Sequence, residues 1–231
     1  MFKRYTILLL LGTLSWAGLS AQDKPDWPNL GRYAQENARL QQDDATVKGR
    51  VVFMGNSITE GWVREDAAFF TSNGYIGRGI SGQTSYQFLL RFREDVLKLN
   101  PEVVVINAGT NDVAENTGAY NEEYTMGNII SMVELASVNG IEVILTSVLP
   151  AAAFGWNAAI KDAPQKIEAL NKRISAYAQK EGIPYVDYYS AMVYGDNKAL
   201  NPAYTKDGVH PTLDGYKVME ALIKKAIDKV K

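Results

Sequence analysis

One histidine, His210, occurs in the 231 residues, and Asp207 stands three positions before it in Lys206-Asp207-Gly208-Val209-His210-Pro211. A carboxylate at that distance can orient an imidazole and stabilise its protonated form while the other ring nitrogen faces a hydroxyl. Pro211 breaks regularity directly after His210, which keeps both side chains in one loop. The hydroxyl that suits this pair is Ser57, in Met54-Gly55-Asn56-Ser57-Ile58-Thr59. A serine on the turn from strand to helix projects its hydroxyl from the sheet edge and has its amide among the free donors of the helix start. That is the setting for a nucleophile whose attack builds an oxyanion. The plainer reading is that Ser57 only caps the helix, as most serines in that place do.

Two further loops offer donors. Asn111, in Asn107-Ala108-Gly109-Thr110-Asn111-Asp112, carries a neutral NH2 suited to developing negative charge, although an asparagine in a loop is usually a turn residue. Gly77-Arg78-Gly79-Ile80-Ser81-Gly82 formally contains GxGxxG. A dinucleotide site requires that motif to end the first strand, with an acid about twenty residues later at the end of the next. Glu102 has the spacing but precedes its strand. The alternative use of Gly82 is its backbone, whose N–H can approach a ligand oxygen with no side chain in the way. A tight turn, with Thr84 or Ser85 capping the helix that follows, fits both readings.

These loops must be held by regular elements. Short apolar runs of strand type fall at residues 50–54, 75–80, 103–107, 142–148 and 184–188. They are continuous rather than alternating, as in strands covered on both faces. Between them run helical spacings: Tyr86, Leu89, Leu90, Phe92, Arg93, Val96, Leu97; then Ile129 to Ala136, Ile167 to Ala178 and Tyr216 to Ile227. Strand and helix in alternation predict an α/β chain with a five-stranded parallel sheet and helices on both faces. In such a sheet, chemistry collects in the loops after the carboxyl ends of the strands. Residues 22–46 read as a lead-in, with a helix over 31–42.

Composition narrows the function. With 46% hydrophobic and 22% charged residues the chain is of ordinary folded type. The net charge of -2 leaves no positive field for nucleic acid or an anionic membrane surface. Cysteine is absent, which excludes disulfides, thiolate metal sites and thiol nucleophiles, and one histidine excludes a metal held by several imidazoles. Lys3 and Arg4, the apolar run Ile7 to Leu14 and the small residues before Gln22 have the layout of a secretory signal peptide over residues 1–21, too short to span a bilayer. Position 22 is Gln rather than Cys, so no lipid anchor is available at that cut. Residues 22–231 then form a single exported domain, periplasmic or extracellular, with 22 basic and 26 acidic residues.

Gly-Asn-Ser-Ile at residues 55–58, Gly82 in Gly-Ile-Ser-Gly-Gln-Thr-Ser, Asn111 in Gly-Thr-Asn-Asp, and Asp207 with His210 together resemble the four blocks of the SGNH (GDSL-type) hydrolase family. The resemblance covers nearly all of residues 22–231. It implies a flavodoxin-like three-layer α/β/α sandwich that hydrolyses esters. Ser57 would be the nucleophile, His210 the base, Asp207 its orienter, and the Ser57 and Gly82 amides with the Asn111 side chain the oxyanion donors. No metal or organic cofactor enters that chemistry. One departure is Asn56, where the family often has Asp; it bears on substrate preference or pH response more than on activity. Secreted members commonly remove acetyl groups from glycans, so a carbohydrate O-acetylesterase leads. A lysophospholipase or thioesterase-like acylhydrolase is the runner-up, and a non-catalytic carbohydrate-binding domain is the rival outside enzymes. Trp62 and Trp156 are candidates for stacking on a sugar ring, or equally for the core.

Overall fold

The computed structural model describes residues 26–42 and 49–231; the leader reading falls outside them. Helix α1 (Ala34–Gln42) precedes β1 (Val51–Gly55), α2 (Ser57–Glu65), α3 (Ala67–Asn73), β2 (Tyr75–Gly79), α4 (Ser85–Asp95) and β3 (Val103–Ile106). The chain continues through α5 (Thr110–Val113), α6 (Glu122–Val138), β4 (Glu142–Thr146), α7 (Ala163–Glu181), β5 (Tyr185–Val186) and α8 (Tyr188–Met192). A two-stranded ribbon, β6 (Val193–Tyr194) with β7 (Ala199–Leu200), leads to α9 (Leu213–Val230).

The five strands pair in parallel in the order β2-β1-β3-β4-β5. The period of two along each strand sends alternate residues to opposite faces. Val52, Met54, Val104, Ile106, Val143 and Leu145 pack against α4, α6 and α7. Val51, Phe53, Val103, Val105 and Ile144 pack against α2, α3 and α9. Covered on both sides, the strands can be apolar throughout, which is the expected α/β architecture. The connections after β1 and β3 leave to opposite faces, so the carboxyl ends of these neighbours open a crevice.

Two boundaries and one helix face differ from expectation. The first helix begins at Ala34 rather than residue 31, because the Gly31 amide donates to the Asp26 carboxylate at 2.8 Å in a preceding turn. The fifth strand shortens to two residues because Asp187 turns to cap α8, accepting the Ser190 amide at 2.9 Å. Helix α4 is rotated about its axis relative to its apolar spacing. Its buried face carries Phe88, Arg91, Phe92 and Asp95, while Leu90 is exposed. The cause is a buried ion pair, Arg91 to Asp95 at 2.8 Å, which takes the place of aliphatic contacts.

Candidate active site

Ser57 is the first residue of α2, directly beyond β1. A Cβ on Gly55 would lie 2.0 Å from Thr59 Oγ1, so only glycine lets the first turn of α2 fold back onto the strand end. Asn56, buried, caps the helix: its side-chain oxygen accepts the Ile58 amide at 2.9 Å. Capping is thus taken by the residue before Ser57, and the serine hydroxyl is left for another partner. That partner is His210 Nε2, 2.8 Å from Ser57 Oγ. The cap needs only an acceptor oxygen, which Asn supplies as Asp would.

The loop before α9 folds around Asp207. One carboxylate oxygen accepts the amides of Val209 at 2.9 Å and His210 at 2.8 Å, and the other lies 2.7 Å from His210 Nδ1. Thr205, which sequence reasoning passed over, donates to the His210 carbonyl at 2.8 Å and accepts the Gly208 amide at 3.0 Å. Burial pulls the Asp207 carboxyl up, but the His210 and Val209 amides and the imidazole outweigh it and hold the carboxyl at about 2. An ionised carboxylate can only accept, so Nδ1 bears the ring proton and the lone pair of Nε2 faces the serine. The hydroxyl can therefore lose its proton to a base whose tautomer is set from behind.

Free hydrogen-bond donors lie on the same edge. The Ser57 N–H heads α2 and has no acceptor within its helix. Gly82 holds φ at +78°, a backbone conformation that suits glycine, and its N–H donates to no acceptor among the described residues. Asn111, buried on α5, donates one side-chain hydrogen to the Gln83 carbonyl at 2.9 Å, which leaves the second free. Its neighbour Asp112 is buried against the amide and hydroxyl of Ser85, at 3.1 and 2.5 Å, and so ties the Asn111 loop to the start of α4. Burial raises the Asp112 carboxyl, only partly offset by these bonds. The other glycines of the formal GxGxxG serve packing, since a Cβ on Gly79 would lie 2.2 Å from the Glu60 amide nitrogen. The Glu60 carboxylate in turn accepts the Ser81 amide at 2.9 Å and fixes the loop from outside.

The two tryptophans separate. Trp156 is 48% exposed, with its ring centroid 6.2 Å from that of His210. Its indole N–H donates to Asn116 Oδ1 at 2.9 Å, and Asn116 donates to the Gly82 carbonyl at 3.0 Å. Trp62 does not join the site. It is 2% exposed, stacked between Phe69 and Tyr216, and its N–H is taken by Glu220 at 3.2 Å. Both faces being covered, no sugar can reach it. A cavity of about 890 Å³ runs beside β2 between Tyr33 and Phe70 and is bordered by neither Ser57 nor His210. The recess that adjoins His210 is about 350 Å³, with Glu65, Lys206, Thr212 and Asp214 in its wall.

Known proteins share the family and the fold. The model of the GDSL-like Lipase/Acylhydrolase family matches residues 53–218. A GDSL-like lipase of Bacteroides thetaiotaomicron, solved as a crystal structure, is 69% identical over 89% of this chain and 100% of its own, with a TM-score of 0.87. The acetylxylan esterase Axe2 of Geobacillus stearothermophilus shares the fold at 20% identity and a TM-score of 0.61, over 78% of this chain and 94% of its own. An acetylxylan esterase of Xylanibacter ruminicola is 23% identical over 214 residues, covering 77% of this chain and 43% of that protein. The chain thus spans less than half the length of that relative.

Proposed function

The chain belongs to the GDSL-like lipase/acylhydrolase family, and from that premise we propose a serine esterase that hydrolyses short acyl esters, foremost O-acetyl groups on carbohydrates, through an acyl-serine intermediate. The observation that carries the reading is the relay from Ser57 to His210 to Asp207, with contacts of 2.8 and 2.7 Å. As Ser57 Oγ bonds to the acyl carbon, its proton passes to His210 Nε2 and the carbonyl electrons move to the oxygen. The Ser57 and Gly82 amides and the Asn111 side chain hold that oxyanion. Collapse breaks the bond to the leaving alcohol, which takes the proton from Nε2. Water then attacks the acyl-serine, giving a proton to the same nitrogen, and collapse releases the acid while Ser57 Oγ regains its proton.

Three features support a small acyl group on a sugar. The recess beside His210 is small, with Glu65, Lys206, Thr212 and Asp214 in its wall. Trp156 presents an exposed indole next to the imidazole, as an aromatic platform for a sugar ring would. Relatives include acetylxylan esterases. Export, with cleavage before Gln22, belongs to the same proposal; among the described residues no helix is long and apolar enough to cross a membrane.

The test is a side-by-side comparison of kcat/KM on acetylated xylan, acetylated sialic acid, short and long p-nitrophenyl esters and lysophospholipid. The proposal expects the acetylated carbohydrates to lead. Preference for long-chain or phospholipid esters would replace it with a lysophospholipase-like activity.

A further inference from the structure

Behind the loops that carry Ser57 and Gly82 lies a guanidinium with no exposure to solvent. Arg91, on α4, donates from Nε to Gln83 Oε1 at 2.6 Å, from one terminal nitrogen to the Gly55 carbonyl at 2.9 Å and from the other to Asp95 at 2.8 Å. Gly55 is two residues before Ser57. Gln83 follows Gly82, and its own carbonyl accepts the Asn111 side chain. One planar cation is thereby bonded to both walls that present the oxyanion donors. From the other side, Gln83 donates to the Pro28 carbonyl at 2.8 Å, and Gln87 donates to the Trp27 carbonyl at 2.8 Å while accepting the Thr84 amide at 3.2 Å. Trp27 and Pro28 lie outside the residues matched by the family model, 53–218.

Burying a guanidinium costs several kcal/mol in desolvation, and an apolar side chain of like volume would fill the space without that cost. What an apolar side chain lacks is direction: the fork fixes two acceptors at a set separation. We infer that Arg91 and Gln83 form a positioning pair that sets the spacing of the Ser57, Gly82 and Asn111 donors, with the Trp27-Pro28 segment as the outer clamp. Neither residue touches substrate. The inference rests on the esterase reading above, which has its own control: loss of wild-type ester turnover in Ser57→Ala.

The experiment compares Gln83→Met and Arg91→Lys, each in the otherwise wild-type full chain and with Asn111→Ala. Lysine keeps the charge but cannot span both acceptors. Displacement of an oxyanion donor by a fraction of an ångström to one ångström should lower kcat on p-nitrophenyl acetate by about tenfold to 10²-fold while KM stays within about twofold. Affinity for methylboronic acid, which forms a tetrahedral adduct on serine, should fall with kcat, and the His210 imidazole resonance should be unmoved. In the Asn111→Ala background the fold-cost of Gln83→Met should be smaller, because one of the three donors the pair spaces is gone. Equal cost in both backgrounds, unchanged boronate affinity, or a raised KM at normal kcat would overturn the pair's role. Should Arg91→Lys fail to fold, Gln83→Met, which removes an uncharged side chain, decides by the same criteria.

Discussion

Asn56 caps helix α2 by accepting the Ile58 amide at 2.9 Å, and this frees the hydroxyl of the residue between them. Stability and chemistry are thereby divided between adjacent positions. Ser57→Ala should reduce turnover of a small acetyl ester by about 10^4 to 10^6, the scale of triad serines, with an unfolding midpoint close to wild type. Asn56→Ala should instead lose about 0.5–2 kcal/mol of stability. Denaturant unfolding beside steady-state kinetics reads both, and a Ser57→Ala protein with a tenth of wild-type activity would place the nucleophile elsewhere.

Asn111 keeps one side-chain hydrogen free of the Gln83 carbonyl, and the proposed mechanism gives it to an oxygen that becomes charged only during attack. Removing it in Asn111→Ala should cost about 10² to 10³ in kcat, or about 2.7–4 kcal/mol, with little change in KM. A variant with normal kcat and raised KM would assign Asn111 to ground-state binding.

With its carboxyl held at about 2, Asp207 stays ionised through the neutral range. A carboxyl lowered on folding supports the fold above its unfolded value of about 3.9, and that support is lost as pH falls toward 2. Above about pH 4.5 it therefore adds little to the pH dependence. The acid limb of kcat/KM should follow a single proton, that of the chain's one imidazole, with unit slope in a logarithmic plot. A slope of two, or the same limb in residual activity of His210→Gln, removes His210 as the base.

The two tryptophans should behave oppositely. Trp156→Ala should raise KM for an acetylated oligosaccharide and leave p-nitrophenyl acetate nearly unaffected, because only the sugar stacks. Trp62→Ala should lose about 3–5 kcal/mol of stability, since its ring fills the core between Phe69 and Tyr216. Equal loss on both substrates in Trp156→Ala would make the residue structural.

Protein recovered from the cell envelope should begin at Gln22, as intact mass or amino-terminal sequencing will show. A retained Met1 there would count against export by cleavage.

The residues proposed to react were legible from the one His of the chain and from where the others stand in their loops. A single His beside an Asp, and a Ser and an Asn after strand-like runs, leave few ways to combine. The parts that hold them were hidden. The apolar spacing of α4 picks out the buried Phe92 and Val96 but also the exposed Leu90, and nothing in it marks Arg91 and Asp95 as buried; that fork is visible only in three dimensions. Trp62 and Trp156 have equal claims in sequence, since an indole suits a core and a sugar alike. The ribbon of β6 and β7 is too short for periodicity, and its turn depends on positive φ at Gly195 and Lys198. The five strands, continuous and rich in Val and Ile, needed no tertiary information to be found within a few residues.

Ser57 and His210 meet across 153 positions of sequence, and α9 is joined to α2 by the Tyr216 hydroxyl donating to the Ile58 carbonyl at 2.8 Å. Ser57 therefore meets its proposed base only once the chain has been made through residue 210. A nascent chain that stops before residue 205 carries a serine with no partner to deprotonate it, however well its first strands have paired. On the proposed mechanism, a burst of activity during refolding would time the meeting of α2 with α9 and the His210 loop rather than the assembly of the sheet.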